Sequence, residues 1–259
     1  LAVAALIVLA SVGSCSRIAA DYMWHVYDSG AVIVFSTSLK TRLLVFVIAF
    51  LAAFSAIFFT GRFAMNTLII FGRTPATIVD ALLTGVIRFL QTHGPALNKL
   101  VATVFGLILA SWMTSNWELF LRFTHAVPFE KSDPLLNIDY GFYVFKFELY
   151  QLIVGWLLAL WFVCAIIAAA TYAAVRGTAS LARMPLTTPS TRMHLTLLAA
   201  AGLVLFGCIA YLKRYSLLTS SAGGFAGPGY SAVKQMTAYE ILAYLLWIGA
   251  LLAAFNAKF

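Results

Sequence analysis

Charge is what this 259-residue chain has least of: Asp, Glu, Lys and Arg make up 10% of it, nine acids against seventeen bases. Soluble domains carry about 25%, so a large water-facing domain is excluded within these residues. The bases are scattered without a run, although the formal net charge is +8. That argues against a nucleic-acid interface, which needs clustered Lys and Arg. Cysteine is also sparse. Cys15, Cys164 and Cys208 stand alone with no CxxC or Cys/His spacing, so no metal site is expected and the redox compartment is left open. No Ser/His/Asp, Cys/His, HExxH or DxD constellation occurs, and no catalytic residue is assigned.

Apolar sequence fills the space. The runs 43–60, 149–175, 194–212 and 236–255 carry one formal charge among them, Glu240. A hydrocarbon layer about 30 Å thick takes roughly 20 residues at 1.5 Å rise each. Lipid offers no hydrogen-bond partners, so such runs without β alternation form helices. The expected fold is all-α: a polytopic helical membrane bundle in one transmembrane domain, with six spans near 1–20, 43–65, 97–120, 149–175, 194–212 and 236–255. Residues 1–12 are short for a span and carry no basic residue before them, unlike a signal peptide. They read as a helix already under way, and both ends of the chain look cut.

The stretch 76–91 differs from the spans. Ile78, Leu82, Val86, Phe89 and Leu90 share one face, while Asp80, Thr84, Arg88 and Gln91 lie largely on the other. Thr74 and Pro75 suit a helix start and Gly94-Pro95 a stop. An interfacial amphipathic helix is expected here, with a re-entrant or membrane-buried helix as the alternative. Acids set the orientation. Asp21, Asp28, Glu130, Asp133, Asp139 and Glu148 fall in the loops 21–42 and 121–148, whereas the loops on the other side hold only Asp80. The acid-free loop with Arg176, Arg183 and Arg192 is placed in the cytoplasm, which puts both chain ends there too.

Small residues recur at four-residue spacing at Ala102, Gly106 and Ala110, and again at Ala165, Ala169 and Ala173. Such seams let helices approach closely in lipid, either to close the bundle or to meet another subunit. Four acids form a candidate outer cluster for cations: Glu118, Asp133, Asp139 and Glu240. The competing account is that each reaches headgroup water. His25, His93, His125 and His194 sit at span ends or in loops, and a haem or pigment ligand among them is left open. The glycine-rich stretch 223–229 lacks the Gly-Lys-Ser/Thr ending of a phosphate loop and reads as a flexible turn.

The richest segment lies before the fourth span. Asp133-Pro134, Asp139, Gly141-Phe142-Tyr143, Phe145 and Tyr150 resemble a stretch Asp-Pro-x-Phe-Gly-x-Asp-x-Gly-Phe-Tyr-x-Phe-x-Leu-Pro-Phe-Tyr of the bacterial uncharacterised protein family UPF0182. Leu136-Asn137 and Phe147-Glu148 depart from it. Trp24, Gly30, Val34-Phe35 and Arg42 are similar to the family's segment between its first two helices. Arg214-Tyr215, Leu217-Leu218, Ser220, Gly227, Tyr230 and Val233 are similar to a later loop, with Ser231-Ala232 where the family has Thr-Asp. The resemblance implies a seven-helix membrane region followed by a large extracytoplasmic domain in the bacterial inner membrane. This chain would hold six of those helices. It implies architecture rather than a reaction. The expected role is an integral membrane subunit or scaffold, in contact with lipids and other membrane subunits and without a cofactor. A transporter or channel is the alternative.

Overall fold

The computed structural model describes residues 16, 18–28, 30–66, 78–181, 189–218 and 228–257. Its helices are α1 (Val32–Asn66), α2 (Ile78–Ser115), α3 (Trp117–Thr124), α4 (Phe147–Leu181), α5 (Pro189–Leu218) and α6 (Tyr230–Asn256). Two π-helical turns precede α1 and α4, at Trp24–Asp28 and Phe142–Lys146. The described residues form no strand; Ser132 and Asp139 make an isolated antiparallel bridge. Among the described residues five segments are long and apolar enough to cross a membrane: Val32–Asn66, Thr92–Ser115, Phe142–Ala173, Pro189–Leu218 and Tyr230–Asn256. The first expected span lies outside the described residues except for its last few, which are helical.

Helices end where backbone hydrogen bonding ends, not where hydropathy falls, and most spans are longer than their apolar runs. Helix α1 starts eleven residues before position 43. There Ser36, Ser38 and Thr41 donate back to the carbonyls of Ile33, Phe35 and Thr37 at 2.8–2.9 Å, so polar side chains are satisfied within the helix. The third span has the expected length but ends earlier, at Ser115. Ser115 and Asn116 bond back to Ser111 and Trp112 at 2.9 and 3.0 Å, and the chain breaks at Asn116 before the separate short helix α3.

The expected helix stop at Gly94-Pro95 is corrected. Helix α2 runs through Pro95, so residues 78–91 continue into the third span instead of forming a separate element. A proline removes one backbone donor and crowds the Cβ of the residue before it. Gly94 has no Cβ, and it lies against Met65, whose sulfur would be 3.1 Å from one. The expected helix start at Thr74-Pro75 lies outside the described residues.

Helices α1, α2 and α4 share one core. It includes Val45, Ala49, Ala53 and Ile57 of α1, Ala102, Leu109, Ala110 and Met113 of α2, and Trp156, Leu160 and Cys164 of α4. Helices α1 and α2 run antiparallel: Phe50 covers Gly106, while eight residues on Phe58 accepts a 2.9 Å bond from the buried Asn98. Gly61 leaves room for the Asn98 amide, which a Cβ there would overlap. Phe46, Phe50, Phe54 and Phe58 stack along α1 at centroid spacings of 5.7–6.2 Å. Trp156 donates to the Leu109 carbonyl at 2.9 Å and so joins α4 to α2.

The remaining helices attach by a different device. Trp161 of α4 lies over Gly202 of α5 and donates to the Leu198 carbonyl at 2.8 Å. Trp247 of α6 lies over Gly207 of α5 and donates to the Val204 carbonyl at 3.2 Å. Each glycine admits an indole that a methyl group would displace.

Candidate functional site

One end of the bundle carries residues 126–147 and the adjoining ends of α4, α5 and α6. The segment before α4 is folded around two carboxylates. Asp139 accepts the Phe129 amide at 3.1 Å through both oxygens and the Gly141 amide at 2.6 Å. These bonds hold the Asp139 carboxyl below the usual aspartate value, the Phe129 amide contributing most; partial burial opposes them, and Gly141, Glu130 and Lys131 add to the lowering. Asp133 is buried and accepts the Leu136 amide at 2.9 Å, while its own amide donates to Ile138 at 2.8 Å. Glu130 and Asn137 adopt left-handed backbone, with φ of 57° and 55°. Gly141 is needed for proximity: a Cβ there would stand 2.6 Å from the Val127 carbonyl and 2.7 Å from Asp139.

Behind this segment lies an aromatic cluster. Phe142, Tyr143 and Phe147 pack around Tyr215 of α5 at centroid distances of 5.3, 6.4 and 6.0 Å. Tyr215 continues to Tyr211 at 5.6 Å, and Tyr211 to Trp247 of α6 at 5.6 Å. Arg214 threads through these rings, 5.1 Å above Tyr211 and 5.5 Å above Tyr215. Its Nη1 pairs with Glu240 of α6 at 3.0 Å, with the two side chains 13% and 33% exposed. Both residues lie inside candidate spans. Charges at such positions are costly and mark functional sites by default. The Tyr143 hydroxyl and the Arg214 Nε are buried without a hydrogen-bond partner among the described residues. A donor left this way costs about 1–3 kcal/mol, so the cluster carries an uncompensated expense.

The four candidate acids go to different partners. Glu118 on α3 lies 3.9 Å from Arg122, which also reaches Glu148 at 3.5 Å, all exposed. Asp133 and Asp139 serve the backbone of their own segment, and Glu240 takes Arg214 and the Tyr244 hydroxyl, the latter at 3.3 Å. Of the motif residues, Phe142, Tyr143, Arg214 and Tyr215 converge. Phe145 packs on Phe129 at 5.7 Å, Pro134 is exposed in the turn, and Tyr230 opens α6 with its ring exposed. Gly227 and residues 221–226 lie outside the described residues. Ala102, Gly106 and Ala110 are buried against α1, whereas Ala165 is half-buried and Ala169 and Ala173 are exposed. The buried stripe of α4 is Trp156, Leu160, Cys164 and Ala168, one position off the alanines.

Among the described residues no group of three His, Cys, Asp or Glu could hold a metal. The histidines have protein neighbours. His194 meets the Tyr172 hydroxyl at 2.7 Å, His25 the Asp21 carbonyl at 2.6 Å and His125 the Leu121 carbonyl at 3.0 Å, while His93 stacks on Phe89. The Arg214–Glu240 pair was missed from sequence because the apolar run of the fifth span ends at Leu212. Opposite charges at the facing ends of consecutive spans are the signal that could have found it.

These features define an all-helical protein whose apolar helices are compatible with a multi-pass membrane protein. The chain belongs to the family described as Uncharacterised protein family (UPF0182), which it matches over residues 1–259. A UPF0182 protein of Pelotomaculum thermopropionicum is 30% identical over 97% of this chain and 28% of the relative. One of Cupriavidus necator is 28% identical over 97% of the chain and 27% of the relative, and one of Kineococcus radiotolerans 31% over 92% and 23%. The chain therefore spans roughly a quarter of the length of these relatives. No solved structure matches it.

Proposed function

We propose that this chain is the membrane-embedded part of an integral membrane subunit or scaffold with six spans, both ends cytoplasmic, in the bacterial inner membrane. It performs no reaction of its own and needs no cofactor. It binds lipid, packs against other membrane subunits, and holds the segment 126–147 as a fixed outer platform for whatever stands above it. The observation that carries this reading is the way Asp133 and Asp139 are consumed by the backbone of their own segment. Carboxylates spent on backbone amides build a rigid surface and are not free to take up ions. The relatives' greater length supports the same reading.

A transporter or channel is the second reading, and the ion pair Arg214–Glu240 within candidate spans is what favours it. Gentle detergent extraction of the protein, followed by native mass measurement, separates the two. A scaffold copurifies with fixed partners. A monodisperse particle without partners, whose ion binding is lost in Glu118→Gln and Glu240→Gln, would overturn the scaffold and establish the transporter.

A further inference from the structure

We propose that the Tyr143 hydroxyl and the Arg214 Nε together bind an uncharged oxygen acceptor, the ester carbonyl of a membrane phospholipid. Both atoms are donors, both are shut off from solvent, and neither has a hydrogen-bond partner among the described residues. They belong to one cluster: Tyr143 and Arg214 both pack on Tyr215, with Asp133 as the other charged neighbour of Tyr143. Two unmet donors on residues that pack on one ring each call for an acceptor, and one oxygen beside Tyr215 is the simplest that serves both.

Charge decides the class of that acceptor. The Arg214 charge is already matched by Glu240 at 3.0 Å, and the Asp133 carboxylate is near enough to act electrostatically on Tyr143. A phosphate or carboxylate entering here would meet two nearby carboxylates and a guanidinium whose charge Glu240 already offsets. A neutral carbonyl oxygen accepts from both donors without that repulsion. Depth decides the source. Tyr143 is the second residue of the segment Phe142–Ala173, and Arg214 is four residues from the end of Pro189–Leu218. Four residues correspond to about 6 Å, the depth of the interfacial layer between headgroup and hydrocarbon. Glycerol esters lie in that layer. The ester reaches the donors when the Tyr143 ring or the Arg214 side chain changes rotamer and uncovers them.

The inference rests on the membrane reading of these helices, not on the scaffold role. Its test compares ester-linked with ether-linked phosphatidylcholine of the same chain length, since the ether lipid lacks only the carbonyls. Wild-type protein in vesicles of each should retain the ester lipid through purification about 3- to 10-fold better, the size of one or two net hydrogen bonds, and unfold at a higher temperature in it. Tyr143→Phe should abolish the preference. It should also reverse sign with the lipid, lowering the melting temperature in ester vesicles and leaving it equal or higher in ether vesicles, where the hydroxyl has nothing to bond. Arg214→Lys, which keeps a cation for Glu240 but lacks Nε, should abolish the preference as well. Equal retention of both lipids by wild type, a preference surviving Tyr143→Phe, or an equal loss in both lipids from a trapped water would each overturn the proposal. Failure to enter vesicles at all would overturn the membrane reading beneath it.

Discussion

Small residues are buried in both halves of the bundle, but the α1/α2/α4 core adds neutral hydrogen bonds from Asn98 and Trp156, whereas the α5/α6 hairpin adds an indole and an ion pair. Ala53, Ile57, Ala102 and Ala110 are wholly or almost wholly buried in the core. Along α6, Leu245, Ile248, Leu251 and Leu252 remain more than half exposed, and this helix is fastened to α5 by Trp247 and Glu240. Lipid tails are as apolar as leucine, so burial drives neither association; close packing and polar contacts do. Core and hairpin both use the two, and the hairpin adds a charge pair, Arg214 with Glu240. The hairpin is therefore the half whose stability responds to charge.

The sharpest way to break that comparison is at tryptophan. Trp156 is 4% exposed and sits among three helices. Trp156→Ala should cost about 3–5 kcal/mol, as buried aromatic deletions do, measured by thermal unfolding in detergent. Trp247→Ala removes a half-buried ring and one hydrogen bond, and about 1–2 kcal/mol is expected. Equal losses would mean that core and hairpin do not differ in the way described.

The ion pairs give the next contrast. Glu240→Ala strands Arg214, whose side chain is 13% exposed, and should cost about 2 kcal/mol, less than the 3–5 of a fully buried pair. The pair Arg42–Asp21 at 3.8 Å has side chains 40% and 52% exposed. Asp21→Ala should cost under about 0.5 kcal/mol. Melting temperatures of both variants at low and high salt test this, since the exposed pair alone should be salt-sensitive.

Glycine sharpens the distinction at the motif end. Gly141→Ala places a methyl against the Val127 carbonyl and the Asp139 carboxylate, and about 1–3 kcal/mol is the expected loss. Gly155, with nothing within 4 Å of its Cβ direction, is the control. Gly155→Ala should stabilise α4 by about 0.5–1 kcal/mol. Thermal unfolding in which both substitutions destabilise alike would remove close approach as the reason for Gly141.

Much of the helical architecture was legible in sequence because hydropathy over twenty residues is a strong signal. Segment ends were not, because Ser36, Ser38 and Thr41 satisfy themselves inside a helix that a hydropathy reading ends at residue 43. Pro95 misled for a related reason: Gly94 relieves the crowding that normally ends a helix before proline. The seam Ala102–Gly106–Ala110 is buried, but Ala169 and Ala173 are not, since four-residue spacing fixes a face without saying which neighbour it meets. At the site, residues far apart in sequence converge. Tyr143 and Tyr215 each stood in a recognisable motif, yet their contact depends on how α4 and α5 pack, and Glu240 meets Arg214 only through the way α5 and α6 pack.

The smallest expected effect is the most specific. Asp139 accepts amides only as a carboxylate, and those bonds lower its native pKa relative to the unfolded chain. A lowered native value means that its contribution is complete above the unfolded value, about 3.9. It is lost as pH falls through the lower native value. The segment 126–147 should therefore be unchanged at neutral pH and loosen below about pH 4, while the α1/α2/α4 core, with no titrating acid in it, holds its packing. Hydrogen exchange at the Phe129 and Gly141 amides reports this directly. In Asp139→Asn one amide oxygen replaces two carboxylate oxygens, so exchange should be faster at neutral pH. The gap between wild type and variant should then close as the wild-type carboxyl takes up its proton. A gap that stays constant from pH 7 down to pH 3 would mean that the Asp139 carboxylate does not hold this segment, and that the contrast between a charge-dependent end and a charge-independent core fails there.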